Sequence, residues 1–156
     1  MNKHFRNTLA AFGLCAFAAT QALAATTLRF GHANGPGEIA HDLFQEFADR
    51  VTKRTNGEIT IKVFPAEQLG KEADLVQQVK SGALDISASS MPVMSSIVPG
   101  LEIASGPFMW TDWQEAQTVI RGPAFEPLFN ELRDRQNIVM LSKIWYWGWR
   151  NFTFAS

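Results

Sequence analysis

Three polar side chains could contribute to a binding site, although each also has an ordinary structural explanation. Arg150 carries a planar guanidinium that holds a carboxylate by two charge-assisted hydrogen bonds, or it is simply a surface arginine at a strand end. Glu72 starts a predicted helix, where the helix dipole favours an acid whatever its function. Ser90 follows a predicted strand, at the edge where α/β sheets place ligand clefts, and small polar residues also merely end strands.

The sequence offers no pattern that indicates catalysis or metal binding. His32, His41 and Asp42 come nearest to a set of metal ligands, but two histidines nine positions apart, in a loop and in a helix, are not a recognised spacing. No serine occupies a G-x-S-x-G turn, and the loop from His32 to Gly37 matches neither a G-x-G-x-x-G nor a Walker pattern. We therefore expect no cofactor, no metal and no enzymatic activity.

The elements that must position these residues alternate between strands and helices. Apolar residues at every second position predict the strands, and apolar stripes near a 3.6-residue period predict the helices. The order is a strand at Thr27–Ala33, a helix at Glu38–Thr55, a strand from Ile59 that ends at Pro65, a helix at Lys71–Ser81 and a strand at Leu84–Ala88. This β-α-β-α-β order predicts an α/β fold with a mostly parallel sheet and right-handed crossovers.

The second half of the sequence is less regular. Helices are predicted over Asp112–Arg121 and Ala124–Gln136, and a final strand over Ile138–Tyr146. The run Trp145–Trp149 places three indoles on one face if it is extended. That face is either buried core or part of a cleft beside Arg150, in which case it would favour a bulkier or partly apolar acid.

The first 24 residues have the three parts of a secretory signal. Lys3 and Arg6 supply a positive start, Leu9–Ala19 an apolar core, and Ala22–Ala24 a small-residue cleavage site. The apolar core is shorter than the roughly 20 residues that a spanning helix needs. Cys15 raises the alternative of a lipoprotein signal, but the residues before it form a poor lipidation box. We expect cleavage after Ala24 and export to the periplasm.

Removal of that signal changes both the cysteine count and the charge. The remaining 132 residues contain no cysteine, so neither disulfides nor thiol chemistry are expected. The loss of two positive charges moves the formal net charge from −1 to −3. A mildly acidic exported chain is a poor candidate for binding nucleic acid.

Short blocks distributed along the sequence carry a family resemblance. They are Gln68–Gly70, Glu72, Ser81–Ile86, Val98–Glu102, Pro107–Phe108 and Gly148–Arg150. In order and spacing the chain resembles, from Thr27 to Thr153, the periplasmic solute-binding proteins of tripartite ATP-independent (TRAP) transporters, the dicarboxylate-receptor (DctP) family. No single block is decisive; their shared order is the specific signal.

The resemblance implies a fold and a function. The fold is a periplasmic-binding-protein-like lobe of type II around a mixed, mostly parallel five-stranded sheet. Residues 25–156 would be the N-terminal lobe of a two-lobed receptor, truncated before its second lobe and before the family's main carboxylate-clamping arginine. The function would be capture of a small organic acid, a C4-dicarboxylate or related carboxylate, for delivery to the TRAP membrane permease. Arg150 is placed in the ligand cleft, with Glu72 and Ser90 as further ligand contacts.

Two other functions stay open on the sequence. The chain could be a periplasmic receptor that feeds a sensor kinase, or a fragment of a secreted enzyme whose catalytic residues lie elsewhere. Neighbouring genes discriminate between them, because one large and one small permease subunit indicate transport and a kinase indicates sensing.

Overall fold

The computed structural model of the protein describes residues 25–145. The predicted signal segment, 1–24, and the end of the chain, 146–156, lie outside the described residues. The expected cleavage after Ala24 and the expected placement of Arg150 in a cleft therefore stay predictions.

The fold is organised on a small parallel sheet. Its strands are β1 (Thr26–Gly31), β2 (Ile59–Phe64) and β3 (Ile86–Ser87), in the order β2-β1-β3. Both pairings are parallel, which confirms the predicted β-α-β-α-β order. The described part of the chain has three strands, against the five of the complete lobe that the resemblance implies. Parallel pairing is enforced because each strand is followed by a helix that crosses back over the sheet.

Helices cover both faces of this sheet. Helix α1 (Ile39–Arg54) packs on one face, where the rings of Phe30 and Phe44 lie 5.0 Å apart. Helix α2 (Glu72–Ser81) packs on the other, so close to β1 that a Cβ atom at Gly31 would lie 2.9 Å from the Cδ2 atom of Leu75. Gly31 is therefore the residue that permits this close approach.

The ends of α2 follow from local chemistry. At its start, the Lys71 backbone N–H donates to the carboxylate of Asp74 over 3.2 Å, which satisfies a donor that the helix itself cannot pair. At its end, Gly82 adopts a left-handed conformation with φ of 75°, which costs glycine little. The predicted helix at Lys71–Ser81 is thus confirmed to within one residue.

The remaining regular elements of the described chain are helices. They comprise α3 (Met91–Met94), a 3-10 helix (Pro99–Ser105), α4 (Trp113–Arg121) and α5 (Glu126–Gln136). The Asp112 side chain caps α4 by accepting from the Glu115 backbone N–H over 2.8 Å. The first two helices fall where the sequence pattern was irregular and predicted none. Across residues 25–145, no helix combines the length and apolarity needed to cross a membrane.

The predicted final strand at Ile138–Tyr146 is wrong for the residues that the structure describes. Residues 138–145 form neither strand nor helix, because no other strand of the described chain pairs with them. The alternation of residue types that suggested a strand reflects alternating burial. Ile138 is buried, and Met140 packs against the same apolar cluster, whereas Val139 and Leu141 are exposed. An alternating pattern indicates that one side of a segment is buried. It does not show that the backbone pairs with another strand, which a β-strand also requires.

Candidate functional site

The carboxyl ends of the three strands meet at one edge, and backbone hydrogen bonds tie their loops together. The Ala66 N–H donates to the Asn34 carbonyl over 2.8 Å, and the Glu67 N–H donates to the His32 carbonyl over 3.2 Å. Ala66 and Glu67 have φ values of 51° and 58°, a conformation that non-glycine residues rarely adopt. The two hydrogen bonds compensate for that unfavourable backbone. This edge is the predicted location of the ligand cleft.

The structure brings Glu72 and Ser90 together at this edge. The Ser90 backbone N–H donates to the Oε1 atom of Glu72, and both residues are partly buried. Glu72 is the first residue of α2, and Ser90 immediately precedes α3. A carboxylate that starts one helix therefore fixes the position at which the next one begins. Two of the three predicted site residues are neighbours, although 18 positions separate them in sequence.

A second carboxylate, that of Glu38, shapes the loop after β1. It accepts from the Asn34 side-chain amide over 2.8 Å and from the Gly35 backbone N–H over 2.5 Å. These two hydrogen bonds hold the pKa of Glu38 below its ordinary value of 4.5. The sequence interpretation missed this residue. The available signal was an acid directly before a helix, preceded by turn-forming residues.

His32 lies in the loop directly after β1, as predicted, and is buried with only 1% of its surface exposed. Its ring packs against those of Phe30 and Phe44, with centroid distances of 5.8 Å and 4.8 Å. Its Nε2 atom is 3.4 Å from the Nδ1 atom of His41. Burial, followed by the charge of His41, lowers the pKa of His32 below 6.5, and Glu38 opposes that shift.

The histidine pair does not extend into a metal site. Within residues 25–145, no group of three or more histidine, cysteine, aspartate or glutamate side chains is arranged to hold a metal ion. Asp42, which the sequence placed beside these histidines, joins no such group.

Two shallow depressions of the described surface lie away from the candidate edge, one of about 250 Å³ on α5 and one of about 390 Å³ beside Arg121 and Lys143. Neither is lined by Glu72 or Ser90. A binding pocket buries most of a ligand's surface, so the partly buried Glu72 and Ser90 would form only one wall of such a pocket.

Comparison with known proteins gives a consistent family match. The family model described as bacterial extracellular solute-binding protein, family 7, matches residues 30–156. The chain is similar to the 2,3-diketo-L-gulonate-binding periplasmic protein YiaO of Escherichia coli, with 30% identity over 143 residues. That alignment covers 90% of this chain and 42% of the relative. The chain therefore spans about two fifths of the length of that relative.

Solved structures show the same likeness. A TRAP periplasmic solute-binding protein from Chromohalobacter salexigens, with bound D-glucuronate, matches with a TM-score of 0.68 and 28% identity, over 74% of this chain and 38% of that one. A TRAP periplasmic solute-binding protein from a Sulfitobacter species, with bound β-D-galacturonate, matches with a TM-score of 0.65 and 26% identity, over 70% of this chain and 36% of that one.

Proposed function

Since the chain belongs to family 7 of the bacterial extracellular solute-binding proteins, we propose that it forms the ligand-capturing lobe of a receptor for a small organic acid. The family match over residues 30–156 is the observation that carries this proposal. Residues 25–156 form the N-terminal lobe of a two-lobed periplasmic receptor, exported by cleavage after Ala24. The receptor delivers its ligand to the membrane permease of a TRAP transporter, and its own contribution is binding without chemistry.

We further propose a hydroxylated sugar acid as the ligand, in preference to a plain C4-dicarboxylate. The names of the similar proteins support this choice, since they bind 2,3-diketo-L-gulonate, D-glucuronate and β-D-galacturonate. Each of these ligands combines a carboxylate with several oxygens that form hydrogen bonds. A suitable site needs a cation for the carboxylate and acceptors for the hydroxyl groups.

The chemistry of Glu72 supports the same ligand class. Its Oε1 atom accepts from Ser90, and the described residues give its other oxygen no hydrogen bond, so that oxygen is available to accept from a ligand hydroxyl. A carboxylate so placed repels a second carboxylate and attracts hydroxyl donors. We propose that Glu72 and the adjacent Ser90 contact the hydroxylated part of the ligand.

Arg150 completes the proposed site from outside the described residues. The guanidinium fork matches the two oxygens of a carboxylate, and its charge-assisted hydrogen bonds are about twice as strong as neutral ones. We propose that Arg150 binds the ligand carboxylate, while Glu72 and Ser90 contact the hydroxylated part.

Isothermal calorimetry on the purified natural receptor tests the ligand class. We expect measurable heats with D-glucuronate and L-gulonate, and much weaker binding of succinate, which has no hydroxyl groups for Glu72. Tighter binding of succinate than of both sugar acids would overturn the proposed ligand class. The absence of binding to any organic acid in a broad panel would overturn the proposed function.

Substitution of Arg150 tests its role. Arg150→Lys keeps the positive charge and loses the fork, so we expect affinity for the best ligand to fall about tenfold, a loss of about 1.4 kcal/mol. Arg54→Lys, at the exposed end of α1, serves as the matched control and should leave affinity unchanged. Equal affinities in the two variants, with folds intact by circular dichroism, would place Arg150 outside the site.

A further inference from the structure

The imidazole of His32 is the most heavily buried polar group of the described chain, and its hydrogen bonding is incomplete. Among residues 25–145, it is the single polar residue that is fully buried. Its Nδ1 atom has no partner among these residues. Its other ring nitrogen meets only His41, at 3.4 Å. Buried polar groups are normally paired, so an unpaired one needs a specific explanation.

The surroundings of His32 favour its neutral form. The flanking rings of Phe30 and Phe44 supply no acceptor for a second N–H. When both imidazoles are neutral, one ring can donate an N–H to the unprotonated nitrogen of the other. The two atoms are Nε2 of His32 and Nδ1 of His41, and either of them can be the donor. Protonation of His32 would bury a charge in an apolar cage, and protonation of both rings would place two positive charges 3.4 Å apart.

The backbone of His32 also belongs to the candidate site. Its N–H donates to the Phe64 carbonyl over 3.1 Å at the end of β2, and its carbonyl accepts from Glu67 over 3.2 Å. The ring contact with His41 therefore attaches the edge of the sheet, including the loop that carries Asn34, to the first turn of α1.

We propose that the His32–His41 contact is an acid-sensitive latch, which fixes the loop between β1 and α1 at neutral pH and releases it on acidification. The effect of this release on ligand binding rests on the proposed function, whereas the latch itself does not.

Other charged groups near His32 do not remove the expected pH dependence. Glu38, at the start of α1, favours protonation of His32, but its effect is the smallest of the three named causes. Glu67 lies after β2 and contacts His32 through its backbone, with its side chain exposed. Lys62 on β2 pairs in register with Arg29, on the strand face opposite to Phe30.

The sign of the effect follows from proton linkage. Because the pKa of His32 is lowered on folding, the unfolded chain binds more protons than the folded chain below the ordinary value of 6.5. The stabilisation is complete above that pH and is lost as the pH falls below it. Each further pH unit reduces the folding equilibrium constant up to about tenfold, until His32 titrates in the folded state.

Two ligand-free measurements on the full chain test the latch. In an NMR titration, we expect the ring of His32 to protonate below pH 6.5, and the amides of Ala66 and Glu67 to lose protection from hydrogen exchange as it does so. In urea denaturation, His32→Leu should flatten the stability profile between about pH 7 and pH 5. Asp49→Asn, an exposed carboxylate about two turns further along α1 than His41, is the control and should keep the profile of the unaltered chain over that range.

The results that would overturn the latch are equally specific. Protonation of His32 at or above its ordinary pKa, or unchanged protection of Ala66 and Glu67 while it protonates, contradicts the proposal. If His32→Leu does not fold, His41→Gln supplies the second variant. Burial is the largest cause of the lowered pKa of His32, so in His41→Gln most of the acid sensitivity should persist, but the loss of stability should end at a higher pH because the charge of His41 no longer lowers that pKa. These outcomes use no ligand and are independent of the proposed function.

Discussion

The two apolar clusters in the described part of the chain differ in size and in their polar neighbours. The helical core, on the side of α2 to α5, contains nine buried residues, all of them apolar: Val76, Met94, Val98, Leu101, Ile120, Phe125, Phe129, Leu132 and Ile138. The sheet cluster, between β1 and α1, contains only three: Phe30, Ala40 and Phe44. His32 is buried directly against the sheet cluster.

Helix α1 adds to this difference, because it is apolar on two sides. One side buries Ala40, Phe44 and Ala48, and the next presents Ile39, Leu43 and Phe47 with exposures of 79%, 43% and 39%. The sheet cluster is thus small and flanked by exposed apolar surface, whereas the helical core buries three times as many residues. We infer that the helical core supplies most of the stability, and that the sheet cluster positions the candidate site.

The largest expected effect tests the helical core. Leu101 is fully buried in the 3-10 helix, and Leu101→Ala removes its side chain from a packed environment. Such truncations cost about 2–5 kcal/mol, through lost burial and the cavity that remains. We expect urea denaturation, monitored by tryptophan fluorescence, to show a loss of that size.

The matched control lies two residues further along the same helix. Ile103 is 53% exposed, so Ile103→Ala should change the free energy of unfolding by no more than about 0.5 kcal/mol. Equal losses of unfolding free energy in the two variants would mean that Leu101 is not packed in the helical core.

A smaller effect is expected where the sheet meets α2. Gly31→Ala would place a methyl group 2.9 Å from Leu75 and 3.3 Å from Leu84, and both leucines are fully buried. Overpacking of this kind costs about 1–3 kcal/mol, partly offset by the reduced backbone entropy of the unfolded chain. The expected net loss is about 1–2 kcal/mol by thermal denaturation.

Gly35→Ala is the control for that substitution. At Gly35 an added methyl group meets only a carboxylate oxygen of Glu38, at 3.3 Å, on a partly exposed loop. A loss as large as that of Gly31→Ala would indicate that the loop, and not the contact between β1 and α2, is the tighter constraint.

The sequence predicted the first half of the fold well because local and tertiary signals agree there. Gly82 ends α2 at the predicted residue, and the alternating apolar residues of β1 and β2 produced parallel strands. The family was predicted from the order of short blocks and is confirmed. Each of these signals is local, or depends only on order along the chain.

The features that the sequence did not predict have a different origin. They depend on contacts between distant residues, which sequence periodicity does not identify. The pattern after Ile138 correctly indicated one buried side, but no strand pairs with it in the part of the chain that the structure describes. The sequence suggested Glu72 and Ser90 separately as site residues, whereas their hydrogen bond depends on the packing of α2 against the end of β3. The role of Arg150 stays a prediction.

The smallest expected effect concerns the second carboxylate at the candidate edge. The pKa of Glu38 is lowered by its hydrogen bonds with Asn34 and Gly35. The unfolded chain therefore binds more protons in acid, and Glu38 contributes stability that is present above its ordinary pKa of 4.5 and is lost as the pH falls below it. Because the Glu38 side chain is exposed, we expect only a modest effect on stability. It should be visible only when the pH profiles of the variant and of the unaltered chain are compared.

Glu38→Gln should flatten urea stability profiles between about pH 5 and pH 3 while leaving the range above pH 6 unchanged. Asn34→Ala should remove the larger part of the same acid sensitivity, since the Asn34 hydrogen bond is the first cause of the shift and the Gly35 bond remains. The two titratable groups near the sheet cluster would then titrate separately, His32 below pH 6.5 and Glu38 below pH 4.5. If Glu38→Gln instead removed the sensitivity between about pH 7 and pH 5, the carboxylate and not the histidine pair would control the loop.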